Sequence, residues 1–159
     1  MLIVVITISD RCSQGLMTDT AGPAVIELVK RHWPEAELRA ALLADDENAI
    51  AALLEELSNQ RAALVLTVGG TGMSPRDRTP EATRRVMDRE APGLAEAMRA
   101  KGAERNAYAW LSRSVAGLRG STIIVNLPGS KRGAEESVEV ILPLLRHAIE
   151  VAEGAQMHP

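Results

Sequence analysis

The sequence has very few aromatic side chains and a single cysteine. Only 2% of its 159 residues are aromatic and none is phenylalanine, so aliphatic residues and methionine must fill the core. Cys12 can form no disulfide within the chain, which is typical of proteins from a reducing compartment. No apolar run approaches the ~20 residues that a spanning helix needs. These absences exclude a disulfide-stapled scaffold and argue against a helical membrane protein.

The chain also lacks a strong excess of either charge. Its formal net charge is −3, so no global basic field would attract nucleic acid or a membrane surface. The opening "MLIVVITISD" lacks the charged start and the cleavage site of a signal peptide, and we expect a cytoplasmic protein. With 46% hydrophobic and 25% charged residues, the length suits one domain. We predict that this domain covers residues 1–153 and that residues 154–159 form a frayed tail.

Three familiar kinds of binding site are missing from the sequence. His32, His147 and His158 have no metal-ligand spacing, which makes a zinc enzyme a poor interpretation. The pattern of a P-loop is absent. The stretch "GGTGMSP" departs from the dinucleotide-binding pattern because Pro75 stands where the last glycine belongs.

Strongly apolar, β-branched runs alternate with helical segments. Such runs are typical of central strands that helices cover on both faces. This alternation predicts an α/β fold, a three-layer αβα sandwich with a mostly parallel sheet. The predicted strands, of which the second is the weakest, cover residues 2–8, 36–44, 61–68 and 120–127.

Two local features modify this plan. The stretch "WLSRSVAGLRGSTIIVNL" reads as two extended runs joined by "GLRG", which predicts an antiparallel hairpin at one edge of the sheet. The last helix should begin near Gly133, and Pro143 should bend or break it.

The loops after the three strongest strands carry the chemically interesting residues. They read "SDRCSQG", "GGTGMSPRDRTP" and "NLPGSKRG", and the carboxyl ends of parallel strands bring such loops together. Glycines let backbone N–H groups approach phosphate oxygens, and helix N-termini favour anions. We therefore predict an anion site at which each loop supplies a hydroxyl, a base or a glycine: Ser9, Arg11 and Gly15; Thr71, Arg76 and Arg78; Ser130, Lys131 and Arg132.

Two acids accompany these bases. Asp77 lies on the central glycine loop, and Asp46 follows the second strand. Carboxylates beside a phosphate repel it unless a cation lies between them, so the pattern favours Mg²⁺ and a nucleotide. On spacing alone, however, Asp46 is better explained as the N-cap of the next helix.

Simpler explanations exist for the other residues as well. The glycine cluster could be only a tight turn, Ser9 and Ser130 could be turn formers, and the basic residues could be solvated charges. Cys12 has no histidine partner in the sequence and is better explained as incidental than as a nucleophile. The agreement among three loops that should meet at one place favours the binding interpretation.

The same residues resemble the MogA/MoaB family of molybdenum-cofactor biosynthesis, whose domain also occurs in gephyrin. The resemblance covers nearly the whole chain and rests on "ISDR", "DDENAI", "LVLTVGGTGMSPRDRTPEAT" and "TIIVNLPGSKRGAEES". It implies an αβα fold, a homotrimer (a hexamer in some members) and a molybdate-insertion partner of the MoeA type. It also implies an enzyme that adenylylates molybdopterin with Mg-ATP and releases pyrophosphate.

The resemblance further implies which residues act. Asp46 and Asp77 match the family's catalytic, magnesium-holding acids, and the adjacent Asp45 leaves the first position ambiguous by one residue. The substrate contacts that it implies are Ser9, Asp10, Gly69, Gly70, Thr71, Gly72, Pro128, Gly129 and Ser130. Two rivals stay open: a non-catalytic MoaB-like pterin-binding protein and a CinA-like nucleotide pyrophosphatase, whose glycine loop tends to read "GGLGPT".

Overall fold

Six strands form one mixed sheet in the computed structural model, which describes residues 1–154. The strands follow the order β2-β1-β3-β6-β5-β4, in which the first four are parallel and the other two are antiparallel to their neighbours. The predicted mostly parallel sheet with an antiparallel edge is confirmed. The strands are β1 (Leu2–Ile8), β2 (Glu37–Leu43), β3 (Leu64–Val68), β4 (Arg89–Glu90), β5 (Ala116–Arg119) and β6 (Thr122–Leu127).

Helices cover both faces of this sheet. One apolar core joins it to α2, α5 and α6, and a second core on the opposite face joins it to α3 and α4. The three-layer prediction is therefore also confirmed. The helices are α1 (Asp10–Ser13), α2 (Ala21–His32), α3 (Glu47–Asn59), α4 (Thr79–Val86), α5 (Pro92–Ala103), a 3-10 helix (Ala107–Leu111) and α6 (Lys131–Ala152).

Within residues 1–154, no helix combines the length and the apolar character needed to cross a bilayer. The predicted frayed tail lies, apart from Gly154, outside the described residues.

The edge hairpin differs from its prediction in where it turns and where it starts. Gly117 belongs to β5 rather than to the turn, and the chain reverses at Gly120, whose φ of 56° favours glycine. Trp110 lies in the 3-10 helix and is 60% exposed, so the predicted extended run was wrong there. The hairpin is short because β5 pairs with β6 only from Ala116 to Arg119, so Trp110 lies outside the ladder.

Pro143 does not break α6, which is continuous from Lys131 to Ala152. A proline inside a helix leaves the carbonyl four residues earlier without its usual donor. Both Pro143 and Glu139 are exposed, so water can satisfy that carbonyl. On the opposite side Ile141 and Leu145 are fully buried and hold the helix against the sheet.

Candidate functional site

The three predicted loops lie side by side at the carboxyl ends of the parallel strands. Nε of Arg76 on the second loop donates to Asp10 Oδ2 on the first at 3.0 Å, and the Gly69 N–H donates to the Leu127 carbonyl oxygen, next to the third loop, at 3.1 Å. A Cβ on Gly129 would lie 3.3 Å from the Gly69 Cα. Helices α3, α4 and α6 all begin at this edge, so their positive ends face the same region.

The backbone of the glycine loop could not be formed by other residues without strain. Gly69 and Gly70 have φ values of 108° and 67°. A Cβ on Gly69 would lie 2.3 Å from the Ile8 carbonyl oxygen, and one on Gly70 would lie 2.2 Å from Thr79 Oγ1. The same Thr79 Oγ1 donates to the Gly69 carbonyl oxygen at 2.9 Å and so ties the loop to the start of α4.

A buried polar network supports the loop from the sheet. Asn126 on β6 is fully buried, and its Nδ2 donates to Thr67 Oγ1 at 3.0 Å and to Thr83 Oγ1 at 2.9 Å. Thr83 Oγ1 in turn donates to the Thr79 carbonyl oxygen at 2.9 Å. Buried polar groups with satisfied partners hold one geometry strongly, so β6, β3, α4 and the glycine loop form one rigid unit.

Two cavities open on either side of this unit. The smaller one, of about 260 Å³, is acidic: Asp19, Asp45 and Asp77 line it together with the first two loop glycines. The larger one, of about 730 Å³, lies between α5, the 3-10 helix and α6 and reaches Gly72 and Ser130. Its volume falls in the range of sites for organic ligands, whereas the smaller cavity suits phosphate groups and a cation.

Asp45, and not Asp46, shares the smaller cavity with Asp77. Asp46 is exposed and is the N-cap of α3, where its carboxylate accepts from the Ala49 N–H at 2.9 Å. The structure therefore places Asp45 rather than the predicted Asp46 at the cavity, because a capping side chain must turn back over its own helix. The catalytic role of either acid stays a prediction.

The surroundings of the Asp45 carboxylate disfavour its ionised form. Burial raises its pKa, and the charges of Asp10 and Asp77 add to the rise, although the hydrogen bond from the Asp10 N–H opposes it. That N–H donates to Oδ2 of Asp45 at 3.0 Å. Oδ1 of Asp45 is buried and accepts no hydrogen bond from any residue in the range 1–154. An unpaired buried carboxylate oxygen beside a second carboxylate indicates a place for a cation or a donor group.

Asp45→Asn is expected to make the protein more stable at neutral pH. Because the pKa of Asp45 is raised, its ionised form is disfavoured in the folded protein, and an amide removes that cost. The gain should be complete above the raised pKa and should disappear as the pH falls towards the ordinary value of 3.8. Thermal unfolding over this pH range measures it. Asp46→Asn is the matched control, since asparagine caps helices equally well and should change little. A lower melting temperature for Asp45→Asn at neutral pH would contradict this explanation.

A magnesium ion fits these residues. Within residues 1–154 no group of three or more His, Cys, Asp or Glu side chains could hold a metal alone. Mg²⁺, however, commonly takes one or two protein carboxylates and completes its shell with water and substrate phosphates. The glycines leave room for this: a Cβ on Gly70 would lie 3.0 Å from Asp45 Oδ1, and one on Gly72 would lie 2.8 Å from Asp77 Oδ2.

The predicted hydroxyl contacts have structural roles of their own. Ser9 caps α1 by accepting from the Cys12 N–H, and Ser130 caps α6 by accepting from the Gly133 N–H, both at 3.1 Å. Thr71 is buried. Of the predicted contacts on the third loop, Ser130 and Pro128 border the larger cavity, whereas Gly129 borders the smaller one.

Most of the predicted basic residues are paired with acids. Arg76 donates from two nitrogens to the Asp10 carboxylate, both at 3.0 Å. The hydrogen bond from the Asp45 N–H and those from Arg76 together keep the pKa of Asp10 below its usual value. Arg78 pairs with Glu47 at 2.7 Å, and Arg132 pairs with Glu136 at 2.9 Å. Backbone N–H groups and helix ends, more than these side chains, are therefore what an incoming anion would meet.

Sequence reasoning missed Arg113. Its guanidinium donates to the carbonyl oxygens of Gly72 and Asp77 and to the carboxylate of Glu81. These partners lie more than 30 residues earlier in the chain, and a single arginine before a hairpin carries no local pattern that would single it out.

Comparison with known proteins confirms the resemblance. The family model for a "Probable molybdopterin binding domain" matches residues 4–147. The chain is 40% identical to the molybdopterin adenylyltransferase of Escherichia coli K12 over 139 residues, which cover 86% of this chain and 71% of that protein. The crystal structure of the molybdopterin biosynthesis enzyme MoaB from Thermus thermophilus has 46% identity and a TM-score of 0.89, with 96% of each chain covered.

Some relatives are much longer. The chain is 36% identical over 146 residues to the molybdenum cofactor synthesis protein cinnamon of Drosophila melanogaster, which covers 91% of this chain but only 24% of that protein. It likewise spans 22% and 47% of two further curated relatives.

Proposed function

Since the chain belongs to the family of probable molybdopterin-binding domains, we propose that it is a molybdopterin adenylyltransferase acting in molybdenum-cofactor biosynthesis. The observation that carries the proposal is the pair Asp45 and Asp77 beside a glycine loop with positive φ angles, at the edge where three helices begin. This arrangement suits two phosphate groups that must be brought together. Similar proteins named molybdopterin adenylyltransferase support the choice of substrates.

The reaction is a nucleotidyl transfer. An oxygen of molybdopterin's terminal phosphate attacks the α-phosphorus of ATP, the bond to the bridging oxygen breaks, and pyrophosphate leaves with the electron pair. The second pKa of a phosphate monoester is ~6, so the attacking group is mostly dianionic at neutral pH and needs no general base. Alignment and neutralisation of charge are what the protein must supply.

Each part of the site contributes to that task. The N–H groups of the glycine loop and the N-termini of α4 and α6 bind and orient phosphate oxygens. Asp45 and Asp77 would hold Mg²⁺, which when bound neutralises the charge on the reacting phosphates. The larger cavity accepts the organic part of one substrate beside Gly72 and Ser130. The hydrogen-bonded unit of β6, β3 and α4 under the loop keeps these groups in fixed positions relative to one another.

Incubation of the pure protein with ATP, Mg²⁺ and molybdopterin tests the proposal. Adenylylated pterin and pyrophosphate should form together, and neither should form when the pterin is left out. Binding of the pterin without any adenylylation would favour the MoaB-like binding protein. Release of pyrophosphate or cleavage of nucleotide pyrophosphates without the pterin would favour the CinA-like activity.

The protein is further proposed to be a cytoplasmic homotrimer that passes its product to a molybdate-insertion protein of the MoeA type. Light scattering at micromolar concentration should give three times the 17.1 kDa mass of the chain. Six chains would point to a MoaB-type assembly, and a monomer or dimer would rule out both.

A further inference from the structure

Arg113 lies between the 3-10 helix and β5 and fastens both ends of the loop that ends in Asp77. Its Nε donates to the Gly72 carbonyl oxygen at 2.7 Å, and its Nη2 donates to the Asp77 carbonyl oxygen at 2.6 Å. Its backbone N–H donates to the Thr71 carbonyl oxygen at 2.9 Å. Arg113 therefore holds both ends of the backbone segment that runs from the last glycine of the loop to the candidate carboxylate.

Glu81 on α4 holds the guanidinium from the other side. Its carboxylate accepts a hydrogen bond from Nη1 of Arg113, and the two side chains are only 26% and 29% exposed. Burial raises the pKa of Glu81, but the hydrogen bond and the charge of Arg113 outweigh it and keep that pKa below its usual value. The pair is therefore ionised at neutral pH. Arginine reaches the three acceptors from three different nitrogens of its planar fork, whereas the donors of lysine all lie on one nitrogen.

Arg113 lines neither cavity, although Ser112 and Ser114 beside it line the larger one, and its side chain contacts the loop and Glu81. We propose that Arg113 is a positioning residue for the adenylyl transfer: its fork holds the carbonyls of Gly72 and Asp77 so that the Asp77 carboxylate stays at the cavity. This inference rests on the proposed function. Arg113 neither contacts substrate nor exchanges a proton, and its effect is on the geometry of a charged group.

Kinetics of Arg113→Met and Arg113→Lys test this role. Both variants lose the fork, and Arg113→Lys keeps the charge. Misplacing a reacting group by about 1 Å can cost about 100-fold, so kcat should fall by roughly that factor in both. The KM for ATP should change by less than about threefold, because Arg113 itself lines neither cavity and its loss acts mainly on the placement of Asp77. Combined with Asp77→Asn, Arg113→Met should add almost no further loss, since both act through one carboxylate.

Arg119→Met is the matched control. Arg119 is also half-buried, and its Nη1 donates to the Val86 carbonyl oxygen at 2.9 Å, at the far end of α4 from the site. Arg119→Met should keep the normal kcat although it also loses an arginine that is bonded to a backbone carbonyl of α4.

Five results would overturn the inference, and they can be told apart. Normal kcat in both Arg113 variants of an active enzyme, or in Arg113→Lys alone, rejects the positioning role and leaves the proposed function intact. A loss of activity that only follows the folded fraction, as measured by circular dichroism, shows a structural role instead. Full additivity with Asp77→Asn shows that Arg113 does not act through Asp77. If the unaltered protein adenylylates no molybdopterin, the proposed function fails, and the inference falls with it.

Discussion

Asp77→Asn should lower the rate of molybdopterin adenylylation by about 100-fold or more, the usual loss when a group that stabilises transition-state charge is removed. Binding of molybdopterin should be nearly normal or tighter, because a carboxylate facing a phosphate without its metal is repulsive. A contact that matters only in the transition state affects turnover and not ground-state affinity. Single-turnover formation of the adenylylated pterin and the dissociation constant of the pterin measure the two effects separately.

The asparagine is chosen because Asp77 also has a structural contact. Its Oδ2 accepts from the Ser74 N–H at 3.0 Å, which closes the turn that carries it. Asparagine keeps an acceptor at this place, whereas Asp77→Ala removes it. If the asparagine variant is fully active and only the alanine variant is slow, Asp77 shapes the turn and takes no part in the chemistry.

Asp88→Asn provides a matched control for the loss of charge. Asp88 likewise accepts a backbone hydrogen bond through Oδ2, from the Gly120 N–H at 2.7 Å. It lies beside the β5–β6 turn, at the opposite end of the sheet from the site. Adenylylation by this variant should proceed at the normal rate, which would show that the effect at Asp77 is local.

The layers and the sheet could be predicted because the strands have few alternatives. A run such as "LIVVITI" must bury both faces, and only a central strand between helices allows that. The hairpin was less predictable. Trp110 is apolar and begins the stretch that was predicted to be extended, yet it lies in a 3-10 helix and is 60% exposed. Its apolar character therefore indicates neither a buried position nor a paired strand.

The location of the site could be predicted from the sequence, but not the identity of every residue in it. Three glycine-bearing loops after parallel strands must converge, and they do. Asp45 and Asp46, by contrast, precede the same helix, and only the geometry of the cap decides which side chain turns towards the cavity. Arg113 joins the loop from more than 30 residues away, and long-range contacts of this kind leave no periodic trace in a single sequence.

Gly69→Ala should be the most destabilising single methyl group that can be added at the site. At a φ of 108° an L-residue is strained, and the new Cβ would lie 2.3 Å from the Ile8 carbonyl oxygen. That oxygen belongs to the backbone of the central strand β1 and has no freedom to move aside. Together, backbone strain and overpacking should cost about 3 kcal/mol or more in the free energy of unfolding. Urea unfolding followed by circular dichroism measures this loss.

Gly15→Ala separates the two causes. Gly15 also has a positive φ, of 73°, but a Cβ there would meet no atom within 4 Å. It should therefore cost only the backbone term, about 1–2 kcal/mol. The difference between the two variants is the steric cost of closing the approach between the glycine loop and β1. If both variants lose the same stability, the loop can move away from Ile8, and it is not the rigid anion-binding platform on which the adenylyl transfer depends.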